Sequence, residues 1–169
     1  MEEEAVLKFY TNTSYYKFNQ AAIKGISESD IIEIDRLLRN TLDRLKSSPG
    51  TYYRGIGKEE IAFLDSYKKG DIITYKNFMS TTSDELVSAN FIRNNIIKTG
   101  EGALVVIQAK NAKSIKKFSD AEKEIEYLLK SRTEYEIIDI KPNVVINSLE
   151  VFLEGREPIN GTIYYLKEL

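Results

Sequence analysis

The stretch Thr51–Thr82 reads TYYRGIGKEEIAFLDSYKKGDIITYKNFMSTT, and its punctuation decides the fold class. Thr51 to Gly55 is a run of strand formers with Arg54 set into it. Lys58 to Lys68 reads as a short helix stopped by Gly70, and Asp71 to Tyr75 and Phe78 to Thr82 as extended segments. Upstream, Ile31, Ile34, Leu38, Leu42 and Leu45 recur at helical spacing, which predicts a helix over Ser29 to Lys46 with one apolar face. Ser27 or Ser29 can cap its start, and Pro49-Gly50 stops it. Ala5 to Tyr10 reads as a short strand and Ser14 to Lys24 as a polar helix ended by Gly25. Downstream, Asp84 to Asn95 reads as helix and the Val- and Ile-rich Ala103 to Ala109 as a central strand. Ile125 to Leu129, Glu134 to Ile140, Val144 to Leu153 and Thr162 to Leu166 are further strand candidates. Helices gather in the first half and strands in the second, the pattern of an α+β fold rather than a doubly wound one.

The 169 residues fit a single domain, residues 1–169, with a helical part over 1–50 and a sheet-rich part over 51–169. Two zeros narrow the chemistry. Without Cys there is no disulfide framework, thiol nucleophile or Cys-based zinc site, and without His no Ser-His-Asp triad or His-ligated metal. Catalysis must use carboxylates, hydroxyls, Lys, Tyr or Arg, and no metal is expected. A net charge of −2 argues against a binder driven by nucleic-acid phosphates. No apolar run approaches the roughly 20 residues of a membrane span. The start, Met1-Glu2-Glu3-Glu4, is acidic where a signal peptide is basic. Gly55-Ile56-Gly57 begins like a dinucleotide fingerprint, but Glu60 stands where its third glycine belongs.

Three segments can carry chemistry. Arg54 in Tyr52-Tyr53-Arg54-Gly55 is costly to bury unless paired; its planar fork suits a phosphate or carboxylate, or a local acid in a purely structural role. Ser80, Thr81 and Thr82 end a predicted strand, either as reactive hydroxyls or as an ordinary edge capping the next helix. Glu124 and Glu126, two apart, can point to one site and manage a proton or a cation, or form a solvated acidic edge.

In this order, Tyr-Arg-Gly, Phe-x-Ser-Thr-Thr and Glu-x-Glu ahead of an apolar strand resemble the R-S-E class of mono-ADP-ribosyltransferases. The likeness is to the exoenzyme toxins, including the catalytic domains of the actin-modifying iota and vegetative insecticidal toxins. Asn77 to Thr82 is similar to that family's Asn-Phe-x-Ser-Thr-Ser, with Thr82 for the last Ser. Glu126-Tyr127-Leu128-Leu129, with Tyr135 and Ile137 beyond, is similar to its Glu-Val-Leu-Leu and following strand. The resemblance implies an ADP-ribosyltransferase-like fold: N-terminal helices, then two packed, mainly antiparallel sheets around an NAD cleft. It implies transfer of ADP-ribose from NAD to a protein side chain, with arginine indicated by Glu124 where the Rho-modifying members carry Gln. NAD glycohydrolysis and a degenerate NAD-binding module are the alternatives.

The roles it implies are these. Glu126 stabilises the cationic ribose and Ser80 positions Glu126. Arg54 clamps the NAD phosphates, the Gly55 backbone holds the nicotinamide amide, and Phe91 stacks by the nicotinamide. Tyr10, Tyr15, Asn19 and Asn77 complete the NAD contacts. Glu124 prepares the target arginine. The family's aromatic three residues before the first Glu is Ala121 here, with Phe118 the nearest substitute for target recognition. Lys110, Lys113, Lys116 and Lys117 precede the Glu pair and form either a target-facing basic patch or a solvated turn. Actin or a small GTPase are candidate targets, a separate delivery component a candidate partner, and secretion or injection into host cells the implied destination.

Overall fold

The apolar stripe predicted along residues 29–46 forms helix α1 (Glu28–Arg44). It buries Leu38 and Leu42 against Val6, Leu7, Phe78, Ile115 and Leu128, with Ile34 and Leu45 at the margin. Each fully buried leucine contributes about 2 kcal/mol by area. The computed structural model describes residues 5–8, 28–118, 126–146 and 155–169. The predicted Ser14–Lys24 helix therefore lies outside the described residues. Residues 5–8 are helical, not the strand expected for Ala5 to Tyr10. The adjacent apolar pair Val6 and Leu7 fits either period, and its packing on α1 selects the helix.

Among the described residues eight strands follow: β1 (Gly50–Ile56), β2 (Ile72–Tyr75), β3 (Met79–Thr82), β4 (Ala103–Ala109), β5 (Lys113–Ser114), β6 (Glu126–Leu129), β7 (Thr133–Ile146) and β8 (Ile159–Glu168). Helix α2 (Lys58–Asp65) joins β1 to β2, and α3 (Glu85–Thr99) joins β3 to β4. The sheet order is β2-β7-β8-β4-β1-β3-β6-β5. Only β4 and β8 run parallel; the other neighbours are antiparallel, as the α+β reading expected. The two expected sheets are hydrogen-bonded into one ladder, but at a narrow junction. β1 and β3 share a single partner pair, Tyr53↔Thr82, against seven between β1 and β4. Met79 of β3 and Leu129 of β6 share a core with Tyr52, Ile107, Tyr135 and Leu166 from the five-stranded side.

The segments expected as two strands, Glu134 to Ile140 and Val144 to Leu153, belong to β7, which is continuous to Ile146; residues 147–154 are not described. Its register with β8 shifts between Lys141 and Val144, where Asn143 has φ 55°. This irregularity absorbs Pro142, which lacks the N–H a regular ladder needs.

Helix α3 starts at Asp84, whose carboxylate accepts from Leu86 N–H, and runs to Thr99 rather than Asn95. Gly100, at φ 80°, supplies the left-handed residue that ends it. The helix lies unusually close to the sheet. A side chain at Gly55 would meet the Ser88 carbonyl at 2.6 Å, and one at Gly102 the Ile92 carbonyl at 2.8 Å.

Candidate active site

Alternation along β1 puts Arg54 on the same side as Tyr52 and Ile56, which face the main core. A guanidinium there needs partners, and two elements supply them. Glu60, in the first turn of α2, takes Nε on Oε1 at 3.0 Å and Nη2 on Oε2 at 3.0 Å. This is a fork-to-fork pair with side chains only 27% and 19% exposed. Nη1 donates to the Ser80 carbonyl at 2.9 Å, bridging β1 to β3 beside their narrow junction.

Ser80 then reaches the other way. Its hydroxyl donates to Oε1 of Glu126 at 2.8 Å. The β3–β6 register pairs Thr82 with Glu126 and Ser80 with Leu128, so Ser80 and Glu126 are diagonal neighbours across two strands. Arg54, Ser80 and Glu126, which lie in separate motifs, thus form one connected set. The neighbouring hydroxyls do other work: Thr81 donates to the Tyr127 carbonyl at 2.8 Å, and Thr82 accepts from Asp84 N–H at 3.1 Å ahead of α3.

Gly55 and Phe91 are adjacent, since a side chain at Gly55 would lie 2.9 Å from the Phe91 Cβ. Phe91 is 49% exposed. Asn77 is exposed in the bend before β3. Phe118 ends a short 3-10 turn and packs against the α1 core, which gives its ring a packing role. Tyr10, Tyr15, Asn19, Ala121 and Glu124 lie outside the described residues.

The basic segment is smaller than the sequence suggested. Lys113 is buried, and its ammonium donates to the Leu45 carbonyl and the Ser47 hydroxyl, both at 2.8 Å. Lys110, Lys116 and Lys117 remain exposed. Among the described residues, no group of three or more acidic side chains is disposed to hold a metal.

Sequence reasoning missed Glu60 and Tyr75. Glu60 drew notice only as a break in a glycine pattern, although a carboxylate one turn into the helix after an arginine strand is a signal for pairing. Tyr75 is fixed edge-to-face against Phe63 and Tyr135. Its hydroxyl is buried. Burial, then the Glu60 charge, push its pKa well above the ordinary value, with Arg54 opposing. Burial and Glu168 do the same to Tyr135.

A family model for NAD:arginine ADP-ribosyltransferases matches residues 2–155. Among curated proteins none matches the sequence significantly. Solved structures do match by fold. The Vis toxin, an ADP-ribosyltransferase from Vibrio splendidus, aligns at TM-score 0.70 and 17% identity over 100% of this chain and 73% of its own. Vis is also known in complex with agmatine. Exoenzyme S from Pseudomonas aeruginosa, solved with human 14-3-3 protein beta and carba-NAD, aligns at TM-score 0.70 and 14% identity over 98% and 72%. The Salmonella SpvB ATR domain aligns at TM-score 0.64 and 14% identity over 100% and 99%.

Proposed function

Because the chain belongs to the NAD:arginine ADP-ribosyltransferase family, we propose that it transfers ADP-ribose from NAD to a protein arginine, as a bacterial or phage toxin or effector. The observation that carries this reading is the Arg54–Ser80–Glu126 connection, with Ser80 Oγ 2.8 Å from the Glu126 carboxylate. The donor set suits NAD: a guanidinium for the diphosphate, a carboxylate for a cationic ribose, and an exposed aromatic beside a glycine backbone for the nicotinamide. The near-complete overlap with the SpvB domain supports a single catalytic domain over residues 1–169. The fold likeness to a Vibrio toxin supports secretion or injection as the route, and the agmatine complex of Vis supports a guanidinium acceptor.

When bound, NAD supplies an electrophilic ribose carbon whose bond to nicotinamide breaks with positive charge developing on the sugar. Glu126, held by Ser80, presents fixed negative charge to that cation. A preorganised group of this kind is worth on the order of 10²–10³ in rate, because it needs no reorientation during the reaction. Arg54 holds the diphosphate by charge-assisted hydrogen bonds. The Gly55 backbone and the Phe91 ring orient the leaving nicotinamide. Glu124 takes a proton from the target guanidinium, whose pKa is above about 12 and which is a poor nucleophile until relieved of it. The nitrogen then bonds the ribose carbon.

The test incubates the protein with labelled NAD, alone, with agmatine and with host-cell lysate. Nicotinamide release and label transfer are followed beside Glu126→Gln. Glu126-dependent label on agmatine and on a discrete lysate protein is the expected result. Release with no label on either acceptor makes the chain an NAD glycohydrolase, and neither release nor NAD binding makes it a degenerate module.

A further inference from the structure

We propose that exposed lysines from two distant segments form a docking ridge for an acidic protein surface, which brings an acceptor arginine to Glu126. This deepens the reading that the chain modifies protein arginines, and rests on it. Residues 44–50 and 109–118 contain no Asp or Glu, and the fold joins them edge to edge. Ser47 and Lys113 form an antiparallel bridge, and Ser48 N–H donates to the Ala112 carbonyl at 2.8 Å. The joined segments carry Lys46, Lys110, Lys116 and Lys117 on the surface. Among the described residues none of these four side chains makes an ion pair, whereas Lys130 holds Asp43 and Arg132 holds Asp35. Cations gathered without acids between them raise the local potential and draw a negative partner.

The backbone beneath the ridge is fixed. The Glu168 carboxylate, 4% exposed, accepts from the main-chain N–H groups of Lys110 and Asn111 and from the Asn111 side chain. Lys113 turns inward, and its ammonium ties the junction to the Leu45 carbonyl and the Ser47 hydroxyl. Ile115 is fully buried and anchors the turn that presents Lys116 and Lys117. A surface held in this way gives up less conformational freedom when a partner docks.

Position selects the partner. Ser114 of β5 pairs with Tyr127 of β6, and Ile115 N–H donates to the Glu126 carbonyl at 3.2 Å. Lys116 therefore follows directly on the residue whose backbone bonds that of Glu126. Three residues of extended chain span about 10 Å. Acidic side chains a few positions from an arginine can thus meet the ridge while the arginine meets Glu126. An acceptor protein requires that adjacency, whereas a nucleic acid or a membrane gains nothing from it.

The experiment measures transfer of labelled ADP-ribose from NAD to agmatine, to a peptide with one arginine flanked on both sides by glutamates, and to the same peptide with glutamines in their place. Lys116→Glu/Lys117→Glu and, on the other segment, Lys46→Glu are run beside wild type, with melting temperatures to establish folding. Wild type is expected to label the glutamate peptide with a kcat/KM about tenfold above that of the glutamine peptide, the order given by two or three exposed charge pairs. High salt should erase the difference. The double reversal should abolish the preference and Lys46→Glu reduce it, with agmatine labelling and nicotinamide release unchanged. Equal labelling of the two peptides by wild type, or a preference that survives both variants, overturns the proposal. A matching fall in agmatine labelling also overturns it, because the lysines would then act on the reaction rather than on docking. Wild-type retention on phosphatidylserine vesicles that the double reversal loses, without peptide preference, gives the ridge to a membrane instead. Nicotinamide release with no label on any acceptor fails the arginine reading itself, whereas label on agmatine without acidic preference fails the ridge alone.

Discussion

Among the described residues the same hydrogen-bond pattern occurs twice. At the candidate site, Arg54 Nη1 donates to the carbonyl of Ser80, whose hydroxyl donates to Glu126. Where α1 meets the β6–β7 turn, Arg39 Nη1 donates to the carbonyl of Ser131, whose hydroxyl donates to Asp35 at 2.7 Å. Arginine, serine and acid are wired alike, yet the surroundings differ. The second set closes on itself: the other Asp35 oxygen accepts from Arg132, Ser131 is 1% exposed, and Lys130 pairs with Asp43 alongside. It is a brace tying helix to turn. In the first set the arginine also holds Glu60, and the partly exposed acid opens strand β6. An R-S-acid set is therefore no signature of catalysis in itself; its setting in the strands and its second acid separate site from brace.

Four variants test that division. The largest effect is expected for Glu126→Gln, which should cut NAD hydrolysis and transfer on the order of 10³-fold with little change in melting temperature. A large stability loss with modest rate loss would turn the site into a second brace. Next, Glu124→Gln should reduce arginine transfer about 10²-fold or more while hydrolysis stays within a few-fold, a range typical of a lost general base. Equal loss of both activities would contradict the separation of roles.

The brace should answer in the opposite currency. Asp35→Ala leaves the buried Ser131 hydroxyl without its acceptor and should cost about 1–3 kcal/mol in urea unfolding. Its kcat per folded molecule should match wild type, and a drop in kcat would show the two sets to be coupled.

The smallest effect concerns alkaline pH. Tyr75 and Tyr135 have pKa values raised above the usual 10.0 by burial. The unfolded chain releases these protons near pH 10 while the folded chain keeps them, so stability is full below that pH and falls above it. The slope is at most about 1.4 kcal/mol per pH unit per group. Tyr75→Phe should flatten the fall above pH 10 in urea titrations, whereas Asp35→Ala should leave its slope unchanged. No brace contact described above involves a tyrosine hydroxyl.

Much of the site region was legible because its parts are strands built from runs of strand formers. The runs around Arg54, Ser80 and Ala103 each carry local evidence of what they are. The brace was not legible, since Asp35 and Ser131 are 96 positions apart and no local pattern joins them. Lys113 misled because a charged residue in a basic run reads as solvated, while its ammonium serves the Leu45 carbonyl. The break expected between Ile140 and Val144 does not end the strand, since β7 passes Pro142 by an irregularity in pairing. For Gly55 the sequence reading looked to the ligand for close backbone approach, whereas the direction a side chain would take is filled by the Ser88 carbonyl of α3.

The single Tyr53↔Thr82 pair has a mechanical consequence. Tension applied across the sheet is shared among many rungs everywhere between β2 and β1, but at the β1–β3 boundary the ladder narrows to one rung, backed by the Arg54–Ser80 tie and the core that Met79 and Leu129 share with Tyr52. Under load the sheet would tear there first, parting arginine from serine and acid while each fragment still held its own strands. Activity would then vanish at forces that leave most of the secondary structure standing.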